Sequence, residues 1–514
     1  MRSYHRKKLN KLLAAAGNEE FIQLLWATHA LQSGCADAAR KFIRPETIPD
    51  GAITTDMRSE HFIHKWKIET LANELMTVPK AKPGKKGATR TLLCDHYGAS
   101  INCANRLHDL ENAESKNHKN AEEFLVEMGR IAARQFDWQR GYVNIPQFYR
   151  NAYVYGQGKC AAYFECKHGI SFNRFSQIGF LLYALFRTSP VMVQEDTQWA
   201  KFGVTLDEVE RVLALISLPF SEAAKLAQTK RRKIIHTADK PSVLRQAPCL
   251  RFGNHGERIR APLPELILER VTSGVFYDVV DGGDDIRNDY GRNFEKYCFN
   301  YLSDTLPGFV WDQESRYGTK QYPIDTPDIL CSEEGKLTIV FECKATRMSH
   351  EAKFGKDPMA ARGYVDLVKG VFQLWRFFSH CRRGCVGRDV TDAAVGVVLT
   401  LDNWLILAET LRKRVLEDAA KMAGEKDPEI TEADRRPIVF VGARELERTL
   451  SSATKKTFKE SLFQANSEKY QGWQLGDIHR QLFNNNEREK LKYPYADKLS
   501  EFLPWYDEFQ PRDK

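Results

Sequence analysis

Two apolar runs joined by a short polar connection lie two-thirds of the way along the chain. The first, residues 329–331, follows Asp328 directly, and the second, residues 337–341, leads into Glu342-Cys343-Lys344. The connection contains Gly335, so the pattern predicts a β-hairpin. Successive side chains of a strand point to opposite faces, so Glu342 and Lys344 share a face. Pairing of the two runs brings Asp328 to the same place.

Apolar residues at helical spacing flank this hairpin on both sides. Upstream, residues 286–302 predict a helix whose apolar stripe is Phe294, Tyr297, Cys298 and Tyr301. Downstream, residues 364–380 predict a helix whose apolar stripe is Val365, Val368, Phe372 and Trp375. Nearly continuous apolar runs at 393–401 and 437–441 then predict two buried strands. The predicted order is helix, hairpin, helix, strand, strand.

The residue types at the hairpin fit a divalent-metal site. Mg²⁺ prefers oxygen ligands and retains several waters, so one or two carboxylates suffice when a substrate phosphate supplies the rest. Asp328 and Glu342 are the candidate ligands, with Asp325 as an alternative for the first. Lys344 is a compact cation that can hold an attacking water and offset charge that develops on phosphate. The alternative interpretation is an ordinary hairpin with a surface Glu-Lys pair, which the apolar second run disfavours.

The pattern resembles that of the PD-(D/E)xK nuclease superfamily. Pro327-Asp328 matches its first half, Glu342-Cys343-Lys344 matches its second half, and fourteen positions separate the two acids. The resemblance covers roughly residues 280–445. It implies a restriction-endonuclease-like α/β fold, in which helices flank a mixed central sheet. It also implies Mg²⁺-dependent hydrolysis of DNA, with Mn²⁺ as a substitute, that leaves 5′-phosphate and 3′-hydroxyl ends.

The resemblance extends to the two flanking helices. Many members carry an additional acid on the helix before the hairpin, and Glu295 is the matching residue here, both for catalysis and as a further metal ligand. Some members carry a glutamine on the helix after the second strand, and Gln373 matches it. Lys369, one turn earlier, is a candidate phosphate contact. An ordinary solvent-exposed role is the alternative for each of these three residues.

Chain length and composition place this region within a larger protein. The 514 residues exceed one ordinary core. We expect a mainly helical (α+β) N-terminal recognition or partner region (1–228), a basic linker or arm (229–279), the nuclease core (280–450) and a helical C-terminal extension (451–514). No run of about eighteen apolar residues occurs, and residues 1–13 lack the apolar centre of a secretory signal. We therefore expect a cytoplasmic protein with no membrane partner.

A large part of the net charge of +8 lies in one segment. Residues 229–260 contain nine Lys or Arg and only two acids. They also contain proline and glycine, which predict an extended arm. Such an arm would grip a phosphate backbone without reading its sequence, with Arg231, Arg232 and Lys233 as candidate contacts. A solubilising linker is the alternative.

The first half of the chain predicts helices at 1–78, 121–136 and 204–226, and an exposed connection rich in Lys, Pro and Gly at 78–87. Residues 141–175 are rich in aromatics and glycine and predict short strands and loops. They contain Glu165-Cys166-Lys167, the same tripeptide as in the hairpin. No Pro-Asp run precedes it, so coincidence is favoured over a second active site.

Eleven cysteines are scattered through the chain, often within apolar runs, which indicates buried reduced thiols. Two groups leave zinc binding open, namely Cys94, His96, Cys103 and His108, and Cys160, Cys166 and His168. Neither group has the paired Cys-x-x-Cys spacing of structural zinc sites.

These patterns together predict a Mg²⁺-dependent endonuclease acting on DNA, of the kind that serves restriction, antiphage defence or mobile-element processing. Two alternatives stay open: a catalytically inactive nuclease fold that serves as a DNA-binding or scaffold subunit, and a nuclease that cleaves RNA. No Gly-x-x-x-x-Gly-Lys-Ser/Thr loop occurs, so ATP-driven movement would need a separate ATPase subunit as partner. Cleavage of both strands of a duplex favours a homo-oligomer or paired complex.

Overall fold

The structure is a computed structural model that describes residues 1–81, 91–115, 121–141, 144–192, 199–231, 236–354, 359, 362–402, 409–483 and 491–509. Its α-helices are α1 (Arg2–Ala14), α2 (Asn18–Leu31), α3 (Ala36–Ala39), α4 (Lys65–Leu75), α5 (Tyr97–Glu114), α6 (Ala121–Arg140), α7 (Ile145–Tyr155), α8 (Gly158–His168), α9 (Phe172–Thr188), α10 (Leu206–Ile216), α11 (Phe220–Arg231), α12 (Glu265–Val271), α13 (Phe276–Val279), α14 (Asp284–Thr305), α15 (His350–Phe354), α16 (Arg362–Arg382), α17 (Glu409–Lys426), α18 (Ala443–Leu450), α19 (Lys455–Gln464) and α20 (Leu475–Phe483). Its strands are β1 (Ser217–Pro219), β2 (Cys249–Phe252), β3 (Arg258–Arg260), β4 (Val310–Gln313), β5 (Arg316–Gly318), β6 (Pro323–Asp325), β7 (Ile329–Glu333), β8 (Lys336–Lys344), β9 (Val390–Thr400) and β10 (Ile438–Gly442).

Five strands form the central sheet in the order β10-β9-β8-β7-β4. Strands β8, β9 and β10 pair in parallel, whereas β7 is antiparallel to both β8 and β4. Two smaller sheets contain β1-β2-β3 and β5-β6. The protein is therefore mixed α/β with a mixed central sheet, which confirms the predicted fold class at this level.

The predicted hairpin is confirmed as β7 and β8. Its turn consists of residues 334–335, both with positive φ (52° and 78°), which is the backbone that a two-residue hairpin turn requires to match the twist of its strands. The register pairs Ile329 with Phe341. Asp328, one residue earlier, and Glu342, one residue later, therefore lie opposite each other at the open end of the hairpin.

Both faces of the central sheet are buried, as the apolar runs predict. One face, which includes Ile339 and Phe341, packs with α14 and the C-terminal helices. The other face, which includes Val340 and Val398, packs against α16 and α17. The two predicted flanking helices are confirmed as α14 and α16. The assignment of Val365 to the apolar stripe is wrong, because α16 buries positions 364, 367 and 371 and leaves Val365 45% exposed.

The aromatic-rich segment is helical where short strands and loops are expected. Its described residues form α7, α8 and the start of α9. Side-chain caps begin two of these helices, since Asn144 accepts from the N–H of Gln147 and Ser171 accepts from that of Arg174. The strand prediction is wrong because tertiary packing overrides the weak strand preference of aromatic residues. The second Glu-Cys-Lys consequently lies on α8, where Glu165 is exposed.

The basic segment 229–279 is folded, in contrast to the expected extended arm. Its described residues include β2, β3 and α12, and its apolar side chains are buried with those of the N-terminal helices. Its basic side chains pair with acids far away in sequence: Lys240 with Glu74, Arg245 with Glu69 and Arg260 with Glu19, each at 2.8 Å. The arm interpretation is wrong for these residues because distant carboxylates neutralise their charge within the fold.

Three residues of this segment are candidate nucleic-acid contacts. Arg231, at the end of α11, donates to Oγ1 of Thr77 at 2.9 Å. Arg232 and Lys233 lie outside the described residues, as do residues 82–87 of the predicted connection. A role of these side chains at a phosphate backbone therefore stays a prediction.

The C-terminal residues complete one side of the sheet. Leu462 on α19, Ile478 on α20 and Leu503 are buried in the apolar cluster that covers the Phe341 face. Among the helices that the structure describes, none combines the length and apolar character needed to cross a lipid bilayer.

Replacement of Glu445 by glutamine is expected to stabilise the protein at alkaline pH. Burial raises the pKa of this α18 carboxyl group to about 7, although Arg448 and the backbone amides of Leu475 and Gly476 oppose the shift. The folded state therefore binds more protons than the unfolded state between about pH 4.5 and 7, so the carboxyl group costs stability as pH rises through that window. Urea unfolding should show a gain of up to about 3 kcal/mol at pH 8 and almost none at pH 4.5. An equal gain at both pH values would contradict this account.

Candidate active site

The open end of the β7–β8 hairpin brings together four of the predicted site residues. Asp328 accepts a hydrogen bond from the backbone N–H of Cys343 at 2.5 Å. The Nζ of Lys344 donates to Oε1 of Glu342 at 2.6 Å and to Oε1 of Gln373 at 2.8 Å. Strand alternation places Glu342 and Lys344 on the face covered by α16. That helix carries Gln373 and reaches the site directly.

A glycine allows α16 to approach the site closely. Gly370 lies one turn before Gln373, and a Cβ atom at this position would be 3.4 Å from Cε of Lys344 and 3.4 Å from Val398. A larger side chain at this position would press on the lysine stem. The close approach therefore holds Lys344 between the strand and the helix.

Glu342 is the most deeply buried of the candidate residues. It is 2% exposed, and although its Oε1 pairs with Lys344, its Oε2 has no hydrogen-bond partner among the described residues. A buried carboxylate oxygen without a partner is costly, because it has lost its hydration and gained nothing in return. Such an atom needs a donor or a cation that the described residues do not supply.

Four carboxyl groups at this end of the sheet all have raised pKa values. Burial is the largest cause for each. Repulsion from neighbouring carboxylates adds to the shift for Asp328, Glu295 and Glu314, whereas nearby cations oppose it for Glu342. The pKa of Asp328 is raised well above its ordinary value, that of Glu295 is raised to about 7, and those of Glu342 and Glu314 are also raised. The site therefore gathers more carboxyl groups than its own cations can keep fully ionised.

Lys344 is the cation at the centre of this cluster. Burial alone would lower its pKa, but the carboxylates of Glu342 and Asp328 outweigh that effect and raise it above the ordinary value. The ammonium group is therefore charged throughout the physiological pH range. It lowers the pKa of Glu342 in return, with a further contribution from the guanidinium of Arg376.

Glu295 and Lys369 lie on the two helices that flank the hairpin. Glu295 lies on α14, and its pKa responds to Glu342 and Glu314, which places it within electrostatic range of the hairpin acids. Lys369 is exposed on α16, one turn before Gln373. The structure is thus compatible with the positions expected for both, while their roles stay predictions.

Two residues join the site without having been assigned to it from the sequence. Glu314 follows β4, and because Gln313 pairs with Ile329, Glu314 comes next to Asp328. Arg376 lies on α16 on the same face as Gln373. Helical spacing in the sequence already predicts that Arg376 lies on the same face as Gln373. The sequence around Glu314 does not predict its place in the site, because that place depends on the pairing of β4 with β7.

The donor set decides which metal ions fit. Within the described residues, no three or more His, Cys, Asp or Glu side chains form a group that could hold a metal ion by themselves. This holds for both cysteine–histidine groups considered for zinc. Asp328 and Glu342 form a pair of carboxylates, which is sufficient for Mg²⁺ when waters and a substrate phosphate complete the coordination. The Oε2 of Glu342, which has no partner among the described residues, and the raised pKa values of the acids both fit a bound cation.

The likeness to PD-(D/E)xK nucleases rests on these site residues and on the order of the surrounding elements, a helix, the hairpin, a second helix and a parallel strand. Comparisons of the chain with models of protein families, with curated proteins and with solved structures found no match.

Proposed function

We propose that this protein is a metal-dependent endonuclease that hydrolyses DNA phosphodiester bonds. The observation that carries the proposal is the end of the hairpin, where Asp328 opposes Glu342 and Lys344 bridges Glu342 and Gln373. One buried oxygen of Glu342 has no hydrogen-bond partner in the part of the chain that the structure describes. Buried acids with raised pKa values gathered around one lysine cost stability, and such costs are typical of functional sites.

Each site residue has a role that fits its charge and position. Asp328 and Glu342 hold Mg²⁺ or Mn²⁺, with Glu295 as a further acid beside them. When bound, the ion polarises the scissile phosphate and lowers the pKa of a water. Lys344 orients the attacking water and offsets negative charge on the phosphate. Gln373 fixes the direction of the Lys344 ammonium group through its Oε1.

The bond changes are those that the resemblance implies. Water oxygen attacks phosphorus and gives up a proton to solvent, the bond from phosphorus to the 3′ oxygen breaks, and that oxygen takes up a proton. The products carry a 5′-phosphate and a 3′-hydroxyl group, as in the nuclease family that the motif resembles. Lys369 is exposed on the same helix as Gln373, and in this proposal it contacts the backbone next to the scissile bond.

Purified protein is expected to nick or linearise supercoiled plasmid in the presence of Mg²⁺ or Mn²⁺ and to leave it intact in EDTA. Gel analysis of a time course with matched single-stranded, duplex and RNA substrates measures both the metal requirement and the substrate class. Cleavage of RNA but not of DNA would show that the protein is an RNA nuclease. Binding of DNA with no cleavage under either metal would favour an inactive scaffold and overturn the proposal.

A further inference from the structure

A cavity of about 710 Å³ lies beyond the carboxyl ends of β8 and β9. Arg347 and Asp402, which follow these two strands, form one wall, and Trp66 on α4 and Phe136 on α6 form another. None of the candidate active-site residues lines it. Ligands in α/β proteins commonly bind beyond the carboxyl ends of parallel strands, so the position itself is one at which a binding site is expected.

One wall is a polar face of α7. Gln147, Arg150, Asn151 and Tyr155 all line the cavity, and their spacing of three and four residues puts them on one side of the helix. Each has a buried polar atom for which the described part of the chain supplies no hydrogen-bond partner: Oε1 of Gln147, Nε of Arg150, Nδ2 of Asn151 and the hydroxyl of Tyr155. Four such atoms on a single helix face are more than a folded protein normally tolerates.

The cavity is also rich in positive charge. Its wall contains nine Lys or Arg and four Asp or Glu. Several of these cations form ion pairs with acids that do not line the cavity, as Arg150 does with Glu447. Lys230, in contrast, donates to the neutral Oε1 of Gln246 at 3.3 Å, and no carboxylate among the described residues forms an ion pair with it. Its charge is thus available to a ligand.

Other wall residues add to this positive field. Arg347 places its Nε 3.9 Å from a carboxylate oxygen of Asp402 and donates through Nη1 to the carbonyl oxygen of Ser273. The same positive charges affect His350. Burial together with Lys353, Arg245 and Lys230 lowers the pKa of this histidine to about 4. The histidine is therefore neutral at pH 7, and a bound anion would raise its pKa.

An aromatic ring lies beside the cationic wall. Tyr277 lines the cavity and is 59% exposed, and the guanidinium of Arg347 lies 5.7 Å from its ring centroid. An exposed ring next to an arginine can stack on a nucleobase. A volume of this size falls within the range of small-molecule sites, about 300–1,000 Å³.

We propose that this cavity binds a nucleotide through its phosphate group, with Lys230 and Arg347 facing the phosphate. Arg150, Asn151 and Tyr155 on the polar face of α7 donate further hydrogen bonds. Tyr277 stacks on the base. The site is separate from the carboxylate cluster, so the proposal does not depend on the proposed nuclease activity. The nucleotide is either free or the 5′-phosphorylated end of an oligonucleotide, since both present the same chemistry.

Calorimetric titration of the full-length protein with AMP, ATP, a 5′-phosphorylated dinucleotide and inorganic phosphate, all in EDTA, tests the proposal. We expect saturable binding of at least one nucleotide. Lys230→Met should raise its Kd by about tenfold or more, as expected for loss of a charge-assisted hydrogen bond. Tyr155→Phe keeps the ring and removes the hydroxyl, so it should raise Kd by about threefold to tenfold.

Matched variants separate a specific effect from a general one. Lys225→Met removes an exposed lysine of the same helix, α11, outside the cavity, and should leave Kd unchanged. Glu342→Gln should also bind normally, so loss of cleavage and loss of nucleotide binding are distinguishable. In NMR titrations, the pKa of His350 should rise when nucleotide is present. Absence of binding at millimolar nucleotide, equal affinity in Lys230→Met, or phosphate binding as tight as that of every nucleotide would overturn the proposal.

Discussion

Glu342→Gln is expected to lower the rate of Mg²⁺-dependent DNA cleavage by about a thousandfold. Glutamine matches glutamate in shape but lacks the charge that a divalent cation requires. It also replaces the buried, partnerless Oε2 by an amide group. Plasmid cleavage under single-turnover conditions measures the effect, and a fold intact to within a few degrees of the wild-type unfolding temperature would assign it to chemistry.

The chain itself offers the control for this experiment. Glu165 occupies the same place in a second Glu-Cys-Lys tripeptide, but it is exposed on α8 and has no opposing aspartate. Glu165→Gln should therefore cleave as fast as the wild type. If Glu342→Gln cleaves as fast as the wild type, or if both variants lose activity equally, the hairpin carboxylate has no specific role in cleavage.

The hairpin site was predictable because its signals are local. Alternation along β8 puts Glu342 and Lys344 on one face, and the short turn sets the register that brings Asp328 opposite Glu342. Helical spacing on α16 similarly predicts that Gln373 and Arg376 share a face. The residues in each of these pairs lie fewer than twenty positions apart, or they are related by the regular repeat of a strand or helix.

The features that the sequence did not reveal depend on long-range packing. Glu314 reaches the site only because β4 pairs with β7, and no pattern in its own neighbourhood indicates that pairing. The basic segment was expected to be exposed because its neutralising partners, such as Glu69 and Glu74, lie far away in sequence. The cavity has walls from α4, α6, α7 and the residues after β8, so no single stretch encodes it.

Lys344→Met is expected to destabilise the protein in a strongly pH-dependent way. Lys344 is largely buried and pairs with Glu342, whose pKa it lowers. Without the cation, the pKa of Glu342 rises further above its unfolded value of about 4.5. A carboxyl group with a raised pKa in the folded state costs stability as pH increases through the interval between the two values. The loss should reach about 3 kcal/mol at pH 8, the scale for breaking a buried ion pair.

At pH 4.5 the same substitution should cost little or even stabilise, because a protonated Glu342 no longer needs a cation and methionine avoids burial of the ammonium group. Urea unfolding of Lys344→Met, Glu342→Gln and the double variant at both pH values gives the coupling energy of the pair. In the Glu342→Gln background, Lys344→Met should lose most of its effect at pH 8. Lys369→Met, on an exposed position of α16, should change stability by less than about 0.5 kcal/mol at either pH. A pH-independent loss in Lys344→Met would show that the lysine contributes packing alone, and its ion pair with Glu342 would then explain neither the stability nor the charge of the site.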